Sequence, residues 1–168
     1  MKKYGQIHLK VFKKILIGGL SKEELLKRLS HKNIKFNEYA RILFENDKFN
    51  PPKKNQKVIL TKVKLDELGL EENCTDKEFM NRIRELGLEL CPLYLAAFLR
   101  LEYMDQEDDS YLTVASIKPE AAENYPNGFY LRKTGNELWL RGYRADGFEG
   151  WPSSNEFVFL FGARRLSQ

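Results

Sequence analysis

Histidine and cysteine are scarce in this chain: it holds only His8 and His31, and only Cys74 and Cys91. That scarcity excludes most of the metal and nucleophile chemistry that leaves a local signature. There is no HExxH, no CxxC pair and no Cys/His cluster, and no Ser/His/Asp or Cys/His arrangement has a recognisable spacing. A P-loop and a GxGxxG turn are missing as well. No metal and no cofactor is expected, and no residue is assigned as catalytic. No apolar run approaches the roughly 20 residues of a membrane span. Near the N-terminus, the run 15–20 follows Lys10, Lys13 and Lys14 and is too short and too charged for a signal segment. A cytoplasmic protein with reduced thiols is the expectation, and Cys91, in an apolar run before Pro92, reads as a buried structural thiol.

What is present is the composition of a globular protein, with 42% hydrophobic and 31% charged residues. The 168 residues suit one ordinary domain. The net charge of +4 is uneven. Residues 1–56 carry 14 Lys and Arg against 5 Asp and Glu, a balance of +9, and the remainder carries −5. A basic N-terminal third points to an acidic partner, a nucleic acid, a membrane surface or another protein, or to neutralisation by the acidic remainder of the same molecule.

Along the chain, Ile7, Val11 and Ile15 fall on one helical stripe, so residues 6–17 predict an amphipathic helix with a basic face. Ser21 and Glu24 have capping-box spacing and open a second helix. Asn37 can cap a third over residues 38–45. Asn50-Pro51-Pro52-Lys53-Lys54-Asn55 reads as an exposed connection. A strand is predicted over 57–65, and Thr75 with Glu78 caps a helix that runs to Leu86, with Gly87 placed to end it. Strands follow at 98–103, 111–117, 128–133, 137–144 and 156–161. The fold class is therefore α+β: N-terminal helices, one strand–helix unit, then a mainly antiparallel sheet of four to five strands. Residues 1–168 form a single domain, with a basic helical part at 1–50, a connection at 51–56 and the sheet at 57–168.

The hairpin at 127–145 carries the densest chemical pattern. Side chains alternate across a sheet with period two. One face collects Phe129, Leu131, Leu138 and Leu140. The other collects Tyr130, Arg132, Trp139, Arg141 and Tyr143, which can stack on rings and hold anions, or lie half buried with arginine stems covering apolar surface. With Arg100 and with Trp151, from the glycine-rich segment after the hairpin, these residues make the candidate ligand surface of a non-enzymatic binding or accessory module.

Two other functions compete. Nucleic-acid binding would use Lys13, Lys14, Lys53 and Lys54, although the link at 30–36 is longer than a helix-turn-helix prefers. An enzyme would draw on Glu102, Asp105 and Arg141. The acidic run from Asp105 to Asp109 does not match an EF-hand loop and reads as a solvated turn.

Several strings look familiar together: Asn37-Glu38-Tyr39-Ala40 with Leu43-Phe44, Leu86 to Leu93, Gly128 to Arg132, and Leu138 to Arg144. Over roughly residues 20–160 the chain resembles a group of conserved hypothetical bacterial proteins. The group has no established activity, so the resemblance implies no catalytic residue. It implies a bacterial, cytoplasmic protein whose N-terminal helices belong with the sheet. The acidic segment at 107–111 departs from the Pro-Glu-Gly-type turn the resemblance leads one to expect there.

Overall fold

A computed structural model of the chain describes residues 7–145 and 154–162. Three of its helices start where a side chain satisfies their first free amides. Helix α1 (Lys22–His31) opens on a reciprocal pair: the Ser21 hydroxyl accepts from the Glu24 amide at 3.2 Å, and the Glu24 carboxylate accepts from the Ser21 amide at 3.0 Å. Helix α2 (Glu38–Phe44) starts on Asn37, whose side-chain oxygen accepts from the Ala40 amide at 2.9 Å. Helix α3 (Asp76–Glu85) repeats the reciprocal pair with Thr75 and Glu78.

Among the described residues eight strands form one sheet. They are β1 (Val11–Ile17), β2 (Lys35–Phe36), β3 (Gln56–Lys64), β4 (Leu88–Glu89), β5 (Tyr111–Val114), β6 (Gly128–Thr134), β7 (Glu137–Tyr143) and β8 (Glu156–Phe161). Their order is β1-β3-β8-β5-β6-β7-β2, with β4 also paired to β8. β5 runs parallel to β8 and β2 parallel to β7, and the other pairs are antiparallel. The sheet is thus mixed, and it has more strands than the four to five expected.

Two of the differences have a clear cause. Residues 11–17 are an edge strand, not part of a basic helix. The stripe of Ile7, Val11 and Ile15 is spaced by four, which fits a period of two as well as 3.6. The β-branched content and the long-range partner β3 decide for the strand. Residues 98–103 are not a strand. They belong to helix α4 (Leu95–Glu102), in which every residue from Leu95 to Arg100 is buried. A short run that is apolar all round reads alike as a central strand or a buried helix.

The helices divide between the two faces. Leu25 and Leu29 of α1, Leu43 and Phe44 of α2, and the apolar side chains of α4 share one core with Ile15, Leu60, Leu131, Leu140 and Val158. Phe79 and Ile83 of α3 share a second core with Val63, Ala115, Phe157 and Phe159 across the opposite face. The last strand lies centrally, as its two apolar faces require. None of the described helices is long and apolar enough to cross a membrane.

Asn37 also finishes the sheet. Its amide nitrogen donates to the Gly142 carbonyl at 2.9 Å, and its oxygen accepts the Gly142 amide at 2.8 Å. One side chain therefore caps α2 and stands in for a strand residue beside β7, just past the two-residue β2. Asn37→Ala is expected to destabilise the protein by about 2–3 kcal/mol, from the lost cap and two backbone groups left without partners. Asn37→Asp keeps the acceptor and loses the donor, so it should fall between the two. Urea denaturation of the three proteins checks that order.

Candidate functional site

The register of β5, β6 and β7 sets side chains in rows on the face that α3 covers only in part. Tyr111, Arg132 and Trp139 are cross-strand neighbours, and so are Thr113, Tyr130 and Arg141. Tyr143 pairs with Gly128 one row further on. Tyr130, Arg132, Trp139, Arg141 and Tyr143 therefore share one face, and all five are half-buried. None of the described helices that pack on β6 and β7 crosses this face; α2 and α4 pack on the other.

The two arginines of the face differ in their bonding. Arg132 donates to the Ser110 carbonyl at 3.3 Å, lies 3.4 Å from the Asp109 carboxylate and sits 4.0 Å from the Tyr111 ring centre. It holds the turn before β5, and the acidic run there is this turn. Among the described residues Arg141 has ring neighbours alone. Its guanidinium carbon lies 5.0 Å from the Trp139 ring centre and 5.8 Å from that of Tyr130. Its Nε is buried without a partner, and among the described residues Arg141 makes no hydrogen bond or ion pair. Burial pushes the Tyr130 phenol up, while Arg141 and Arg132 pull it back.

Trp139 is fixed by its neighbours. The indole N–H donates to Glu137 at 3.2 Å, and Glu137 accepts from Lys35 at 2.5 Å. Lys35 lies 5.8 Å from the indole ring centre. The Lys35 ammonium, by its hydrogen bond first, holds the Glu137 carboxyl below its usual range.

Arg100 does not belong to this surface. It lies on α4, against the opposite face, with no exposed area. It donates to Gln106 Oε1 at 2.7 Å, to the Trp139 carbonyl at 3.2 Å and to the Tyr103 carbonyl. The grouping with the hairpin assumed a strand at 98–103; the helix puts Arg100 behind the sheet. Trp151 lies outside the described residues.

The four lysines of the nucleic-acid reading do not converge through β1. Lys13 and Lys14 are consecutive in a strand and so project to opposite faces. Lys13 packs over the Tyr103 ring, whereas Lys14, Lys53 and Lys54 are exposed. Glu102 and Asp105 are exposed too. Among the described residues no group of three or more His, Cys, Asp or Glu is placed to hold a metal ion. Cys74 and Cys91 are both buried and free, and burial raises both thiols, which leaves them protonated at neutral pH.

A feature that the sequence reading missed adjoins the face. A cavity of about 460 Å³ opens between α3 and the connection at 115–127, with Phe79, Met80, Ala115, Ile117, Phe157 and Tyr143 among its lining. Ser116 also lines it, and its Oγ is buried with no partner among the described residues. The connection is braced from behind. Asn46 donates to Glu120 at 2.9 Å and to the Tyr125 hydroxyl at 3.0 Å, and Arg144 donates to the Glu123 carbonyl at 2.7 Å. A long stretch without regular structure between two antiparallel strands was the available signal.

Comparison with protein-family models, with curated proteins and with solved structures finds no match to this chain. The resemblance to the bacterial group draws no support from them.

Proposed function

We propose that the chain is a binding module for a small organic anion, held by Arg141 between the rings of Trp139 and Tyr130. The observation that carries this reading is the half-buried guanidinium with no acceptor among the described residues. Burying a charge is costly unless something pairs it. A carboxylate or phosphate would supply that pair, since two oxygens fit the guanidinium fork. The flanking rings favour a flat group beside the anion. Arg132, already committed to the turn at Asp109, adds positive potential without competing for the ligand.

The test is a benzoate titration followed by NMR. The chain has two tryptophans, so two indole N–H signals are expected, and Trp139→Phe identifies the one that belongs to the face. That signal should shift saturably with benzoate. Arg141→Gln should weaken binding at least about tenfold, in line with the 1.5–3 kcal/mol of a hydrogen bond to a charged group. Equal affinity in Arg141→Gln sinks the reading.

A further inference from the structure

We propose that the anion is the head of an amphipathic carboxylate whose apolar body fills the cavity between α3 and the connection at 115–127. The inference rests on the reading of Arg141 given above and adds the shape and orientation of the ligand.

The cavity and the arginine belong to one strip of the sheet. Arg141 and Tyr143 are two residues apart on β7, about 7 Å along the strand, and face the same way. Tyr143 lines the cavity, and its ring centre lies 6.4 Å from that of Tyr130, which in turn lies beside Arg141. Cavity, Tyr143, Tyr130 and Arg141 follow one another without an intervening element among the described residues. Two of the three buried side-chain atoms without a partner among the described residues, Arg141 Nε and Ser116 Oγ, lie on this strip; the third, Arg100 Nε, lies on the other side of the sheet.

The lining decides which end of a ligand enters. The floor is Ala115, Phe157 and Tyr143, and the α3 wall is Phe79 and Met80. Asp76 and Glu123 also line the cavity, with Lys118 the only basic residue among its described lining. A carboxylate head that entered would meet two carboxylates and one ammonium. Reversed, the head meets a guanidinium that is unpaired among the described residues, and the body meets apolar side chains. A volume of about 460 Å³ is within the roughly 300–1,000 Å³ of small-molecule sites.

The test is a series of straight-chain carboxylates from acetate to decanoate, with octanol as the neutral control, followed by the Trp139 indole signal. From butanoate to octanoate, affinity should rise about two- to fourfold per methylene, as apolar burial predicts, and then level off. Ala115→Phe should remove the dependence on chain length and leave acetate binding unchanged. Ala115 is buried, so that variant carries a folding risk. Ile117→Asp carries less, because Ile117 is 72% exposed, and it should flatten the series in the same way. Affinity that is independent of chain length but lost in Arg141→Gln would overturn the inference and leave the anion site standing. Octanol binding as tightly as octanoate would overturn it as well, since the head would then play no part. If no carboxylate binds in a manner sensitive to Arg141, the anion site falls, and this inference with it.

Discussion

Gly142→Ala is expected to cost about 3 kcal/mol or more, and to lower the melting temperature by roughly 6–12 °C at the 2–4 °C per kcal/mol usual for a chain of this size. A Cβ at this position would stand 2.6 Å from the Tyr39 carbonyl carbon and 2.7 Å from the Ala40 amide nitrogen. Both are backbone atoms in the first turn of α2, so no flexible side chain can move aside. Relief requires α2 to back away from β7. That motion would break the two bonds between Asn37 and Gly142. It would also part Phe44 from Phe129, now 5.4 Å apart and stacked, and from Phe36 at 5.0 Å. Overpacking typically costs about 1–3 kcal/mol, and the backbone contact places this case at the upper end. A thermal melt decides it. A variant within about 2 °C of the parent would mean that α2 rides on the sheet with room to spare.

The same contact shows what the sequence could and could not reveal. Asn37 announced itself as a helix cap, because the rule is local and the residue type is decisive. Nothing local says that its amide also closes the edge of β7, since Gly142 is 105 residues away. The three caps at Ser21, Asn37 and Thr75 and the two faces of the hairpin were legible for the same reason: each depends on a few neighbouring residues. β1 and α4 were not. The stripe of Ile7, Val11 and Ile15 suits either period, and the all-apolar run around Phe98 suits either element. Only the partners β3 and the sheet face settle them. The two-residue strands β2 and β4 carry no periodicity at all.

These two misreadings bear on the candidate site in different ways. With 98–103 read as a strand, Arg100 appeared beside the hairpin arginines; as a helix residue it lies behind the sheet. With 11–17 read as a helix, Lys13 and Lys14 appeared on one basic surface; as strand neighbours they part. The face of Tyr130, Trp139 and Arg141 rests only on alternation within a hairpin, which the register preserves. The cavity was invisible because its walls are α3 and the connection at 115–127, and their meeting is a tertiary event.

Arg100→Met is expected to be the other severe substitution, at about 3–5 kcal/mol, although methionine nearly fills the space. The guanidinium has no exposed area and serves three acceptors: the Gln106 side chain and the carbonyls of Trp139 and Tyr103. Gln106 is itself 1% exposed and donates to the Leu131 carbonyl at 3.1 Å, so the network joins α4 to β6 and β7. Removing the arginine leaves buried acceptors unsatisfied, each at about 1–3 kcal/mol. Lysine restores the charge but cannot supply the fork, so Arg100→Lys should recover less than half of the loss. Burial lowers the Arg100 pKa from the ordinary arginine value to about 10, so the cation persists at neutral pH. Only between these two values does the unfolded chain hold more protons than the folded one, and only there does this group make stability rise with pH. The penalty of Arg100→Met should therefore be flat from pH 6 to 9, as measured by denaturant midpoints. A penalty that rises steadily across that range would mean that the arginine is already titrating, and that its charge contributes less to joining helix and sheet than its three bonds imply.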